Sequence, residues 1–225
     1  MLDAEKIKLL ENVLANQPSV LAKDKYFNSA VLVPLLFIND KCHFLFEKRA
    51  GNIRQGGEVS FPGGEIDNDL DNNSKDTAIR ETTEELGVAA EQVEIIGGMG
   101  TLVAPMGITV DPLVGLLNIN SIDDLNIDLK EVEKVFTIPV SFFLENKPDT
   151  YFINVRAHPY DVDDGGNKIE LLPVKKLGLP NRYADPWRKA RHRVFIYNTP
   201  GEIVWGITAE IVYEFCKLII DSEIC

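Results

Sequence analysis

From residue 27 onward, the apolar positions of this chain fall into short runs that alternate in places and follow a helical spacing in others. Ala30 to Ile38 and Cys42 to Lys48 are apolar or alternating runs around Asn39-Asp40-Lys41, which predicts two strands joined as a hairpin. Arg49 to Glu58 reads as a loop, and Glu58 to Gly64 as a short extended run ending in a Pro-Gly-Gly turn. Ile79, Thr82, Thr83 and Leu86 lie within about 100° of one another on a helical wheel. They predict the buried stripe of a helix that starts near an N-cap at Ser74 and stops at Gly87. Val93 to Ile96, Thr109 to Leu117, Tyr151 to Ala157 and His192 to Tyr197 read as strands, and Thr208 to Asp221 as a final helix. Asp3 to Ala15 has Leu10, Val13 and Leu14 on one side and stops before Pro18. We therefore divide the chain into a helical extension, 1–26, and a main domain, 27–225. Strands mixed with helices imply an α/β sandwich with a mixed sheet. The longest stretch without a regular pattern is 159–189, broken by Gly165-Gly166, Pro173, Pro180 and Pro186, and it is expected to overhang a ligand.

The predicted helix carries the chemistry. Glu81 and Glu85 are one turn apart, and Glu84 sits three residues after Glu81, so their carboxylates are expected together on the side opposite the buried stripe. Like charges at this spacing destabilise a helix, and Arg80 is the one nearby counter-charge. A bound cation explains the cluster, with a solvated acidic face as the plain alternative. Carboxylate oxygens are natural ligands of Mg²⁺ and Mn²⁺, and Mg²⁺ held by few protein groups completes its shell with water and substrate phosphates. A phosphorylated small molecule is the expected substrate. Gly63 and Gly64, just upstream, permit close approach of backbone to such a ligand. The acidic stretch from Asp67 to Asn72 also suggests a calcium loop, but Asn72 stands at its glycine position and Ala78 at its bidentate glutamate position, so that reading fails.

Gly64, Arg80, Glu81, Glu84, Glu85, Gly87 and Val88 follow, in order, the signature of the Nudix hydrolases, and the chain resembles that family. It departs from the signature in two ways. Fifteen residues separate Gly64 from Arg80 where the family has thirteen, which leaves the first acidic position on Leu70 or Asn72, with Asp69 and Asp71 as acidic neighbours. Thr82 also replaces the usual aliphatic residue. The run Leu45 to Ala50, then Arg54, then Gly57 to Gly64, is similar to the extra motif of coenzyme A pyrophosphatases, with one residue fewer after Arg54 than is commonest. Ile203 to Ala209 and Glu131 to Phe143 resemble other segments of that subgroup.

The resemblance implies a Nudix-type α/β/α sandwich and Mg²⁺- or Mn²⁺-dependent cleavage of the diphosphate of coenzyme A (CoA) or a derivative. Glu81, Glu84 and Glu85 would be catalytic residues and metal ligands, with Arg80 orienting a carboxylate. Arg49, Arg54, Gly63 and Gly64 would contact substrate, because a guanidinium grips phosphate through paired hydrogen bonds. The general base is left open. Alternatives are hydrolysis of ADP-ribose or another nucleoside diphosphate derivative, and a nucleotide-binding domain without catalysis. For Arg182, Arg188, Lys189, Arg191, His192 and Arg193, two readings stand: a 3′-phosphate contact, or solvated charge. Phe61 reads as a strand residue in the core or part of the subgroup motif, and Trp205 as a large core side chain.

Composition narrows the partners. Net charge is −12 over 225 residues, which disfavours nonspecific nucleic-acid binding. No run reaches the length of a membrane span. Cys42, Cys216 and Cys225 are widely spaced, without zinc-ligand or disulfide patterning, and Cys42 and Cys216 are expected to be buried. The first residues lack the order of a signal peptide, so the cytoplasm is the expected compartment. A homodimer is a candidate assembly.

Overall fold

The computed structural model describes residues 20–105 and 107–223, except the side chains of Arg188 and Lys189. The helix expected over Asp3 to Ala15, and Cys225, lie outside the described residues. The chain forms two compact units, Met1–Phe142 and Phe143–Cys225.

The first unit is built on a mixed sheet. Its strands are β1 (Phe27–Ile38), β2 (Lys41–Arg49), β3 (Val59–Ser60), β4 (Gly63–Glu65), β5 (Val93–Gly98), β6 (Leu102–Ala104), β7 (Ile108–Leu117) and β8 (Val132–Pro139). The path β3-β2-β1-β7-β5 is the spine, with β4 on β1, β6 on β7 and β8 on β2. β1 runs parallel to β7, from Phe27 opposite Ile108 to Leu35 opposite Leu116. All other pairs are antiparallel. The expected hairpin joins β1 and β2 through Asn39 and Asp40, both with positive φ (50° and 61°), the twist that a two-residue hairpin turn needs. The α/β class with a mixed sheet is the architecture expected from the sequence.

One helix, α1 (Ser74–Leu86), packs on β1, β4 and β7. Its cap is Asn73, one residue before the expected Ser74; the Asn73 side chain accepts from the backbone N–H groups of Lys75 and Asp76. Gly87 ends it with φ 67°, as expected. Ala78 and Leu86 of α1 join Ala30, Leu32, Leu36, Leu45, Leu113 and Leu117 of the sheet in the core. The buried stripe of α1 is Thr77, Ala78, Thr82, Glu85 and Leu86, rotated from the expected one so that a glutamate lies on it. Next to Leu45, the rings of Phe44, Phe46 and Phe61 pack together, Phe46 stacking on Phe61 at 4.9 Å. Phe61 is thus a core residue.

Helix α2 (Val140–Glu145) follows β8. In the second unit, β9 (Asp149–Ala157), β12 (Trp187–Asn198) and β13 (Ile203–Trp205) make an antiparallel sheet in the order β13-β12-β9. Helix α3 (Gly206–Asp221) packs on β12 and β13. The stretch 159–189 contains a hairpin that the sequence pattern did not predict, β10 (Tyr160–Val162) with β11 (Lys168–Glu170). Its turn is held by Asp163, whose side chain accepts from the N–H groups of Gly165 and Asn167. Trp205, expected in the core, is 44% exposed because β13 is an edge strand. Cys216 is buried and Cys42 only half-buried. No helix among the described residues is long and apolar enough to cross a membrane.

Candidate functional site

The first unit gathers most of the predicted residues around the junction of α1 with β2, β3 and β4. Gly63 and Gly64 are the strand partners of Val31 and Ala30 on β1. A side chain at Gly63 would lie 2.3 Å from the Ala30 carbonyl oxygen, and one at Gly64 would lie 2.4 Å from Glu81 Oε1. At 63 only glycine leaves room for β4 against the sheet backbone, whereas a side chain at 64 would have to push the Glu81 carboxylate aside. The Gly63 N–H donates to Glu85 Oε2 at 2.9 Å. Glu85 is therefore drawn inward to 2% exposure, contrary to its expected place opposite the buried stripe.

Arg80 organises the other carboxylates. Its Nε and Nη2 donate to Asp71 Oδ1 and Oδ2 at 3.0 and 2.9 Å, a two-pronged pair. Its Nη1 donates to Glu81 Oε1 at 2.8 Å and to Glu84 Oε2 at 3.3 Å. Asp71 also accepts from Thr77 Oγ1 and from the Asp67 N–H. Arg80, Thr77 and this N–H together hold the Asp71 carboxyl down at about 2, while Asp71 and Glu81 raise the Arg80 guanidinium above its ordinary value. Asp69 is exposed and makes no comparable contact; its N–H donates to Asp67. Of the two acids near the shifted signature position, the structure joins Asp71 to the helix.

Glu47 is a site residue that the sequence reading did not single out. It lies on β2 with no exposed surface. Its Oε1 accepts from Ser60 Oγ at 2.9 Å and lies 3.7 Å from Arg49 Nη1. The available signal was a charge at the end of the apolar run Phe44-Leu45-Phe46, in strand phase with Leu45, whose face meets α1. Arg49 is joined to the cluster through Glu47. The Arg54 guanidinium lies instead over the Phe27 ring, 5.2 Å from its centre. The basic cluster belongs to the second unit: Arg182 stacks on Tyr183, Arg191 approaches the Phe152 ring, and Arg193 pairs with Glu210.

Burial pushes the carboxyls of Glu47, Glu81 and Glu85 upward, and for Glu85 the negative charge of Glu47 adds to the effect. Among the described residues, no three His, Cys, Asp or Glu side chains converge on a single point, because Glu81 and Glu84 turn to Arg80. The donor set still fits a hard divalent cation. Every donor is a carboxylate oxygen, and Glu47 Oε2 is buried with no hydrogen-bond partner.

These shifts set a pH dependence. A carboxyl whose folded value is raised stabilises the fold fully below its unfolded value, near 4.5, and that contribution is lost as pH rises through the folded value. The metal-free protein is therefore expected to lose roughly 5–10 °C of Tm between about pH 5 and 8. Millimolar Mg²⁺ should restore most of it. Thermal unfolding in EDTA and in Mg²⁺ across this range checks the sign; a flat or rising metal-free curve would contradict it.

A mixed sheet with one acidic helix and a glycine strand closing over its carboxylates defines an α/β protein built round a carboxylate cluster. The chain belongs to the Nudix hydrolases, its residues 27–162 matching the NUDIX domain. It is 35% identical over 153 residues to the peroxisomal coenzyme A diphosphatase NUDT7 of Mus musculus, a match that takes in 68% of this chain but 61% of the mouse protein. To Nudix hydrolase 3 of Caenorhabditis elegans it is 35% identical over 218 residues, covering 95% of this chain and 82% of the relative. Among solved structures, the MutT/nudix family protein of Enterococcus faecalis aligns with a TM-score of 0.48 at 14% identity, over 96% of this chain and 69% of that one.

Proposed function

We propose that this protein hydrolyses the diphosphate bond of CoA or a CoA derivative, releasing 4′-phosphopantetheine and 3′,5′-ADP. The observation that carries the reading is the run 45–64. The segment similar to the CoA pyrophosphatase motif is also the one that reaches the helix's carboxylates, with Arg49 beside Glu47 and the Gly63 N–H on Glu85. The mouse relative's name supports the same substrate.

In this reading Glu81, Glu84 and Glu85 hold Mg²⁺ or Mn²⁺. Bound there, the metal would neutralise diphosphate charge and lower the pKa of water. Arg80, anchored on Asp71, keeps Glu81 and Glu84 turned toward each other along the helix. Gly63 and Gly64 keep the backbone close enough for a phosphate to approach the carboxylates. Arg49 supplies a phosphate contact, since its guanidinium is partly exposed and its tie to Glu47 is long at 3.7 Å. Arg54 is the second candidate. The compartment we assign is the cytoplasm; the mouse relative is peroxisomal by name. A homodimer is the assembly we would test first.

A hydrolysis screen with CoA, dephospho-CoA, ADP-ribose, NADH and nucleoside triphosphates in Mg²⁺ and in Mn²⁺ tests the assignment. CoA is expected to be the best substrate. Replacing Arg49 by Ala should weaken CoA use roughly ten- to a hundredfold, the effect of one lost charge-assisted phosphate bond. Much faster cleavage of ADP-ribose than of either CoA form would move the assignment to that substrate. No hydrolysis of any of them would leave a binding domain.

A further inference from the structure

Glu47 is a charged side chain without exposed surface in the middle of a sheet. Strand β2 is paired on both sides there, Glu47 standing opposite Ser60 of β3 and Val135 of β8, so its side-chain direction is fixed by the sheet. One oxygen is accounted for: Oε1 accepts from Ser60 and lies near Arg49. The other, Oε2, is buried without a hydrogen-bond partner. A buried carboxylate oxygen left unpartnered is costly, and a polar uncharged residue would fill the same place at lower cost. Its neighbour from α1 is Glu85, itself only 2% exposed, so two carboxyls are buried side by side where strand meets helix. One oxygen of Glu85 is fixed by the Gly63 N–H. The pair is thus held from two directions, by β3 and by β4, with Arg49 on the Oε1 side and Oε2 left without a partner.

We propose that Glu47 is itself a ligand of the divalent cation, reaching it through Oε2 from β2 while Glu85 reaches it from α1. This rests on the metal-dependent reading above and adds a ligand that lies outside the helix signature. It also orders the site. Glu81 and Glu84 are engaged by Arg80, whereas Arg49 stands 3.7 Å from Glu47 Oε1 and leaves Oε2 unpartnered, so this buried pair forms the part of the site available to metal without rearrangement of the Arg80 contacts.

The test is Mn²⁺ binding by the metal-free full chain, followed by electron paramagnetic resonance or calorimetry. Glu47→Gln keeps the shape and the Ser60 bond, and is expected to weaken Mn²⁺ at least about tenfold, as is Glu85→Gln. Binding by Glu47→Gln within about twofold of wild type, with Glu85→Gln impaired, would overturn the assignment and leave Glu47 as a buried neighbour of the site. Wild type that binds no Mn²⁺ would overturn the metal reading and this inference together, so the two failures are distinguishable. Should Glu47→Gln not fold, crystals of wild type grown with Mn²⁺ decide. An anomalous peak about 2.0–2.3 Å from a Glu47 oxygen supports the proposal. A peak held by α1 carboxylates alone, with Glu47 out of reach, overturns it.

Discussion

Glu85→Gln is expected to lower turnover at least about a hundredfold while the protein stays folded. The amide keeps an oxygen that accepts from the Gly63 N–H, so the β4–α1 contact at 2.9 Å survives. The negative charge does not, and a divalent cation loses a ligand. Because Glu85 is buried beside a second carboxylate, removing its charge also relieves repulsion in the metal-free state. Activity should collapse with Tm unchanged or raised, a combination that a merely structural residue does not give. Glu81→Gln should show a similar loss of turnover with a small loss of stability, since it also weakens the ion pair with Arg80. Glu84, 60% exposed and tied to Arg80 at 3.3 Å, should be the least sensitive of the three. Turnover and thermal unfolding of the three variants test this; near-normal activity in both Glu81→Gln and Glu85→Gln would remove the metal assignment.

Much of this site was legible because its elements are locally determined. Asn73 and Gly87 bracket α1, two turn residues with positive φ make the β1–β2 hairpin, and glycine at 63 and 64 leaves space for an approaching chain. What was not legible depends on partners distant in sequence. Periodicity sorts residues by polarity, so it put Glu85 outside; the Gly63 N–H, twenty-two positions away, brings it in. Glu47 was not singled out, because nothing in the run 42–48 indicates that β3 and β8 will cover it from both sides. Strand β8 escaped notice because Val-Glu-Lys-Val-Phe-Thr-Ile-Pro alternates poorly. The β10–β11 hairpin is so short and polar that its Gly-Gly turn suggested irregular chain instead.

The shifted signature leads to the second large effect, in the loop before α1. Asp71→Asn is expected to cost about 1.5–3 kcal/mol of stability and roughly ten- to a hundredfold in turnover, whereas Asp69→Asn should change neither. The loop folds back so that the Asp67 N–H and Thr77 Oγ1 both donate to Asp71 Oδ2, which aims its carboxylate at Arg80. Arg80 grips it with two nitrogens and uses the third on Glu81 and Glu84. An amide at 71 can accept one of those bonds but not both, and it presents a donor toward a cation. Arg80 would then swing toward Glu81 and Glu84 and compete with metal for them, so the loss should appear in the metal concentration needed for half-maximal rate as well as in kcat. The pH dependence follows with its sign. Since Asp71 titrates at about 2 when folded and near 3.8 otherwise, its contribution is complete above the higher value and is lost as pH falls through the lower. In the neutral range the clamp is therefore insensitive to pH, and the activity deficit of Asp71→Asn should be constant there. If Asp71→Asn and Asp69→Asn both keep full activity and stability, Arg80 needs no anchor and the acidic loop is only a connector.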